Sequence, residues 1–61
     1  MLRFVIYVDR ANEYRWQLLA ENNRIIADSG EGYRNLQDCE QMVAWIKQNA
    51  LTAQVQVKTP R

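Results

Sequence analysis

The residues of this sequence best suited to bind a ligand are arginines and tyrosines. Six of its eight basic residues are arginine, whose planar guanidinium pairs with phosphate and, like a tyrosine ring, stacks on bases. The strand alternation described below brings one set of polar side chains onto a single sheet face: Arg3, Tyr7, Arg15, Gln17, Arg24 and Asp28. This face could bind nucleic acid or a small anion weakly. We favour a solvated face with alternating charges that binds no ligand; if the face does bind, Val5, Leu19 and Ile26 favour a protein partner or a second subunit.

A second candidate for ligand contact is the loop formed by Glu31, Gly32 and Tyr33. An acidic residue flanked by glycines in an exposed loop can contact a ligand. The same residues also fit ordinary turn chemistry, in which Gly30 and Gly32 adopt backbone angles closed to other residues and Tyr33 packs over the end of the sheet. We favour the turn interpretation.

The sequence gives no pattern typical of a catalytic or metal site. It has no histidine and one cysteine, which argues against a structural zinc site and against a thiol activated by an imidazole. Cys39 lies on the apolar stripe of the predicted helix, where a thiol packs as a small hydrophobe, and Trp16 is expected to anchor the core. The carboxylates are scattered, with no pair fixed by spacing. We therefore expect a protein without catalysis and without a cofactor.

Size and charge exclude several further classes. A formal net charge of +1 over 61 residues argues against a strongly basic nucleic-acid binder and against a polybasic membrane patch. The apolar runs are too short to span a bilayer, and the lone cysteine favours a cytoplasmic location. A chain this short forms one small domain of marginal stability. Because it lacks disulfides and metal ligands, self-association is the expected source of added stability.

Three β-strands are predicted in the first half of the chain, over residues 2–9, 14–21 and 24–28. Their β-branched and aromatic residues are typical of strands, and short polar segments separate them. The five-residue loop after the first strand predicts that Val8 pairs with Tyr14, which places the first two strands side by side and antiparallel.

The Asn22-Asn23 pair predicts a two-residue type I′ turn, because asparagine tolerates a positive φ. Ala20 would then lie opposite Ile25. Both hairpins predict the same uncharged core face, which carries Phe4, Ile6, Tyr14, Trp16, Leu18, Ala20, Ile25 and Ala27.

A helix is predicted from the residue after Asn35 to about Asn49, with Asn35 as N-cap and Asp38 completing a weak capping box. Its apolar stripe has the three- and four-residue spacing of one helix face and consists of Leu36, Cys39, Val43, Ile46 and Ala50. This stripe should cover the uncharged face of the sheet. Trp45 lies off the stripe, so we expect it to meet another surface.

The last segment, residues 53–59, alternates strictly and predicts a fourth strand. Val55 and Val57 point to one side and polar side chains to the other, while Pro60 closes the strand because it cannot donate to a ladder. The predicted order is therefore β-β-β-α-β, an α+β fold with an antiparallel sheet and one helix packed on one face.

Residues spread along nearly the whole chain resemble those of the YegP-like domain, a small bacterial domain of unknown function. The resemblance is carried by Tyr14, Arg15, Trp16, Leu18, Ala20, Asn22, Ile25, Ile26, Ala27, Ser29, Glu31, Gly32, Tyr33, Cys39, Ile46 and Lys47. It implies β(3)-α-β units used in pairs, with one continuous sheet and exchanged C-terminal strands. It implies no catalytic residues. The chain departs from the family at Asn23, where glycine is usual, at Asn12, where glycine is often found, and at Leu36, where lysine is common.

Together these observations predict one YegP-like domain over residues 1–61 that acts as a small, non-catalytic homodimeric interaction module. Its dimer strand would carry Val55 and Val57, and its partner would be a second copy of itself. Weak binding of nucleic acid or an anion through the arginine and tyrosine face is the alternative function.

Overall fold

Three antiparallel strands and one helix make up the structure, a computed structural model that describes residues 1–60. The elements are β1 (Arg3–Val8), β2 (Tyr14–Leu19), β3 (Ile25–Asp28), α1 (Leu36–Asn49) and a closing 3-10 turn, Ala50–Thr52. The strands lie in the order β1-β2-β3, so β2 is central and β1 and β3 form the edges. The predicted α+β class is confirmed.

The pairing of β1 with β2 follows the predicted register. Val8 lies opposite Tyr14, and Phe4 lies opposite Leu18. The rings of Phe4 and Trp16 meet edge to face, with centroids 5.6 Å apart, an arrangement that adds to the stabilisation from burial alone. Trp16 therefore lies on the core face, as predicted.

The turn between β2 and β3 differs from the predicted type I′ turn. The amide of Asn23 donates to the carbonyl of Ala20 at 2.9 Å, and the amide of Ala20 donates to the carbonyl of Arg24 at 2.8 Å. Only Asn23 has a positive φ here, 68°, so the loop is a four-residue turn closed by one left-handed residue. Next to the turn, Ile25 therefore pairs with Leu19 rather than with Ala20, and a bulge between Leu18 and Leu19 then restores the predicted register, in which Leu18 lies opposite Ala27.

Helix α1 begins after Asn35, as predicted, but the side chain of Asn35 accepts no hydrogen bond from the backbone amides of the first helical turn. Its Nδ2 atom instead donates to Asp38 Oδ2 at 3.3 Å. The helix packs on β1 and β2 and leaves β3 uncovered. Cys39 is completely buried between helix and sheet, which confirms its predicted place in the core.

The predicted fourth strand is not formed within the described part of the chain. Residues 53–60 are exposed and form neither helix nor strand. Val55 and Val57 are accordingly 90% and 82% exposed. Alternation alone does not make a strand, because a strand forms only against a neighbour that accepts its hydrogen bonds. The outer edges of β1 and β3 also lack a partner strand among residues 1–60.

Candidate functional site

The arginine and tyrosine face is organised around an ion pair. Arg15 Nε donates to Asp9 Oδ2 at 2.6 Å, and Arg15 Nη1 donates to the carbonyl of Ser29 at 3.3 Å. The other carboxylate oxygen of Asp9 accepts the amides of Ala11 at 2.9 Å and Glu13 at 3.0 Å. Arg15 therefore fastens the first loop to the segment after β3, a role that its sequence position did not reveal.

Both partners of this pair are shifted in pKa towards their charged forms. The amide of Glu13 and then the Arg15 guanidinium lower the pKa of Asp9 below its ordinary value. The hydrogen bond to Asp9 raises the pKa of Arg15. A guanidinium held in this way is less available to an external phosphate, because binding one would require breaking charge-assisted hydrogen bonds.

The remaining members of this face are spread along the sheet. Tyr7 lies opposite Arg15, as predicted, and Gln17 lies opposite Asp28. Arg3 reaches across the end of the sheet to hydrogen-bond the side chain of Asn23, while Arg24 is exposed just before β3. The structure thus brings Tyr7 and Arg15 together but gathers no cluster of free guanidinium groups among the residues it describes.

The Glu31–Tyr33 loop is shaped by a close approach rather than by a special backbone conformation. Neither Gly30 nor Gly32 has a positive φ, contrary to the expectation for these glycines. A Cβ at Gly32 would overlap the carboxylate of Glu13 and lie 2.9 Å from the Cβ of Glu13. Gly32 is therefore required for space, and the loop then returns Tyr33 to the sheet.

Tyr33 is joined to β2 by two backbone hydrogen bonds with Tyr14, of 2.7 and 2.8 Å. Burial raises the pKa of its hydroxyl, and the charge of Glu31 adds to that shift, whereas the nearby Trp16 indole opposes it. The buried Trp16 Nε1 has no hydrogen-bond partner of normal geometry among residues 1–60. Tyr33 is thus half-buried and paired with the first residue of β2, and ligand contact by this loop stays a prediction.

An apolar cleft opens between β1 and the C-terminal half of α1. Its volume is about 570 Å³, and it is lined by Leu2, Arg3, Phe4, Leu18, Val43, Ile46, Lys47 and Ala50. The cleft is lined in part by β1, which is an edge strand of the sheet, so apolar side chains of the core can be reached from the surface there. Two cationic side chains, Arg3 and Lys47, are part of an otherwise aliphatic and aromatic lining.

A second cleft lies on another side of the helix and was not predicted from the sequence. It has a volume of about 480 Å³ and is lined by Tyr33, Asp38, Gln41, Met42 and Trp45. Trp45 is 59% exposed. The spacing of Asp38, Met42 and Trp45 on one helix stripe was the available signal, but the position of Tyr33 beside them depends on the fold.

Residues 1–60 contain no group of three or more histidine, cysteine or acidic side chains arranged to hold a metal ion. Burial raises the pKa of the Cys39 thiol, which keeps it in its unreactive neutral form. No helix within these residues combines the length and apolar character needed to cross a bilayer.

Comparisons with known proteins find relatives that are similar to this chain in sequence and in structure. Residues 9–56 match the family model described as "Domain of unknown function (DUF1508)". The chain is 47% identical over 55 residues to UPF0339 protein NMB1088 of Neisseria meningitidis serogroup B, covering 90% of this chain and 93% of the relative. A UPF0339 protein of Methanosarcina acetivorans is 37% identical over the same shares of the two chains. An NMR solution structure of a protein from Haloferax volcanii matches with a TM-score of 0.86 and 42% identity, covering 93% of this chain and 95% of that one.

Proposed function

Since the chain belongs to the DUF1508 domain family, whose role is unknown, we propose a function from its own surfaces: it is a non-catalytic interaction module that forms a strand-exchanged homodimer. In this assembly the tail, residues 53–60, leaves its own chain and adds a strand to the sheet of a second copy. The observation that carries the proposal is the exposed tail, with its alternating valines, in a chain whose sheet has two unpaired edges.

The total surface supports this assembly. The chain exposes 5,499 Å², whereas a folded monomer of 7.2 kDa is expected to expose about 4,100 Å². A standard interface removes roughly 800 Å² from each partner, which the excess easily supplies. Only Cys39 among the apolar side chains of residues 1–60 is fully buried. A second copy would therefore complete an interior that one chain leaves open.

The edge of β1 is the site that best fits the tail. The apolar cleft beside it is lined by Phe4, Leu18 and Ile46 among others, and a strand added there could direct Val55 and Val57 into it. At about 3.3 Å per residue, the tail is long enough to pair along all of β1. Pairing would also cover an open sheet edge, which otherwise invites uncontrolled association.

The proposal is tested by sedimentation of the full chain across a wide concentration range. We expect a dimer at micromolar concentration, and deletion of residues 53–61 should leave an unfolded or aggregating chain. A stable, well-folded monomer at micromolar concentration, with the tail paired in its own sheet, would contradict the proposal. A truncated chain that remained folded and monomeric would contradict it as well.

Weak binding of nucleic acid or an anion is a second candidate, favoured by the exposure of Arg24 beside the open sheet face. The test is fluorescence anisotropy with a labelled single strand at low and high salt. Phosphate contacts should give affinity that falls with salt and with Arg24→Ala. Arg10→Ala, in the first loop, is the matched control. Absence of binding by the unaltered protein at low salt would eliminate this candidate.

A further inference from the structure

The second cleft has the composition of a site for an organic cation. Tyr33 and Trp45 supply electron-rich rings, Met42 supplies a polarisable thioether, and Asp38 supplies a carboxylate. The cleft volume of about 480 Å³ lies within the usual range for small-molecule sites, which combine apolar walls with a few polar groups.

The charges around the cleft select the sign of a ligand. None of its lining residues, all within the described part of the chain, is basic. Asp38 accepts a hydrogen bond from the neutral amide of Asn35, which leaves its negative charge uncompensated by that contact. Glu31 is close enough to act electrostatically on the Tyr33 hydroxyl. The lining therefore carries one full charge, the negative charge of the Asp38 carboxylate, which favours a cation over an anion.

The exposure of Trp45 points to the same chemistry. Trp45 lies off the face of α1 that packs on the sheet, and it remains 59% exposed. Indole is the ring that attracts cations most strongly, and alkylammonium groups present both a positive charge and apolar methyl groups to such rings. We propose that the cleft between Tyr33 and Trp45 binds a small soluble alkylammonium compound, with its charge between the Trp45 ring and Asp38. This proposal does not depend on the proposed dimer.

The experiment is an NMR titration of the full chain with tetramethylammonium and with choline, at constant ionic strength. We expect saturable shifts of the Trp45 indole N–H and of amides in α1 near Met42. The neutral isostere of choline, 3,3-dimethylbutan-1-ol, should cause much smaller shifts because it lacks the charge. Equal shifts from the isostere would overturn the proposal, as would the absence of a saturable response up to about 100 mM.

Two variants test the named groups. Trp45→Leu keeps an apolar side chain but removes the ring, and Asp38→Asn removes only the charge; each should weaken choline binding by about two- to five-fold or more. Glu40→Gln is the matched control, because Glu40 is an exposed acid of the same helix that does not line the cleft. Unchanged affinity in both variants, or an equal loss in Glu40→Gln, would overturn the assignment. Unaltered amide spectra away from the cleft would establish that the variants fold.

Discussion

Asn12 and Asn23 hold equivalent positions in the two hairpins of the sheet. They are the two residues other than glycine with a positive φ among the described residues, 63° and 68°. Each ends a four-residue turn by donating its amide to the first carbonyl of the turn, at 3.0 Å from Asn12 to Asp9 and 2.9 Å from Asn23 to Ala20. One local conformation is thus used twice to fix the order of the strands.

This equivalence predicts the effect of substituting either asparagine. Glycine should be tolerated at Asn12 and Asn23, because it adopts positive φ without steric cost. Alanine at either site should lower the free energy of unfolding by about 1 kcal/mol relative to glycine. Urea denaturation measures the difference, with Arg10→Ala as a control at an exposed turn position of ordinary backbone conformation. Equal stability of the alanine and glycine variants would contradict the left-handed assignment.

The Asp9–Arg15 pair predicts a loss of stability in acid. The pKa of Asp9 is lower in the folded chain than its ordinary value of 3.8. The Asp9 carboxylate therefore contributes its full stabilisation at pH values above 3.8. The contribution disappears as the pH falls through the lowered folded-state pKa, when the carboxylate is protonated. Urea unfolding at neutral pH and near pH 3 should show Asp9→Asn to be less stable than the unaltered chain at neutral pH, with the difference shrinking in acid. Asp28→Asn is the control, and an identical pH profile for Asp9→Asn and the unaltered chain would contradict the role of Asp9.

The two glycines of the loop predict opposite responses to alanine. Gly32→Ala should destabilise the fold by about 1–3 kcal/mol, because the added methyl group meets Glu13 in a tightly packed place. Gly30→Ala should be neutral or slightly stabilising, since no atom lies within 4 Å of its added Cβ and its φ is not positive. Thermal or urea unfolding of the two alanine variants measures the difference in stability. Equal effects at the two sites would show that Gly32 is not confined by Glu13.

The exposed tail predicts which substitutions weaken assembly. Val57→Asp should raise the dimer dissociation constant by about ten-fold or more, because the proposed dimer buries this side chain and a charge there would lose its hydration. Gln56→Asp introduces the same charge on the opposite side of the tail and should change dissociation little. Val57 is already 82% exposed in the single chain, so its substitution should not change the stability of the monomer. Sedimentation equilibrium measures the effect, and equal dissociation constants for the two variants would exclude a one-sided strand.

The sequence was sufficient to predict the pairing of β1 with β2, because side-chain alternation and loop length both place Val8 opposite Tyr14. For the helix, its limits and the burial of Cys39 were predicted correctly, but Leu36 on the same apolar stripe is 43% exposed and the predicted cap by the Asn35 side chain is not made. The predicted type of the turn at Asn22 and Asn23 was wrong, because asparagine suits both a two-residue turn and a longer turn with one left-handed residue. The two turns differ by one residue next to the loop, which local sequence preference does not decide, whereas the predicted pairing of Leu18 with Ala27 was correct.

The features that were missed depend on contacts between distant parts of the chain. The need for Gly32 arises from Glu13, which approaches only after β2 has paired with the returning loop. The cleft beside Trp45 likewise needs Tyr33, which is brought there by its backbone pairing with Tyr14. A fourth strand was predicted from alternation alone, but alternation describes only which side chains share a face. It carries no information about which chain provides the neighbouring strand.

Because Cys39 is completely buried, the reactivity of its thiol measures how often the folded structure opens. A thiol reagent can reach the sulfur only when the helix lifts from the sheet, so the rate of alkylation measures how often that happens. If the interior is shared between two copies, dilution should accelerate the reaction, whereas an interior held by one chain would react at a rate independent of concentration. A simple mass-spectrometric time course could therefore reveal how abundance in the cell governs the integrity of the fold.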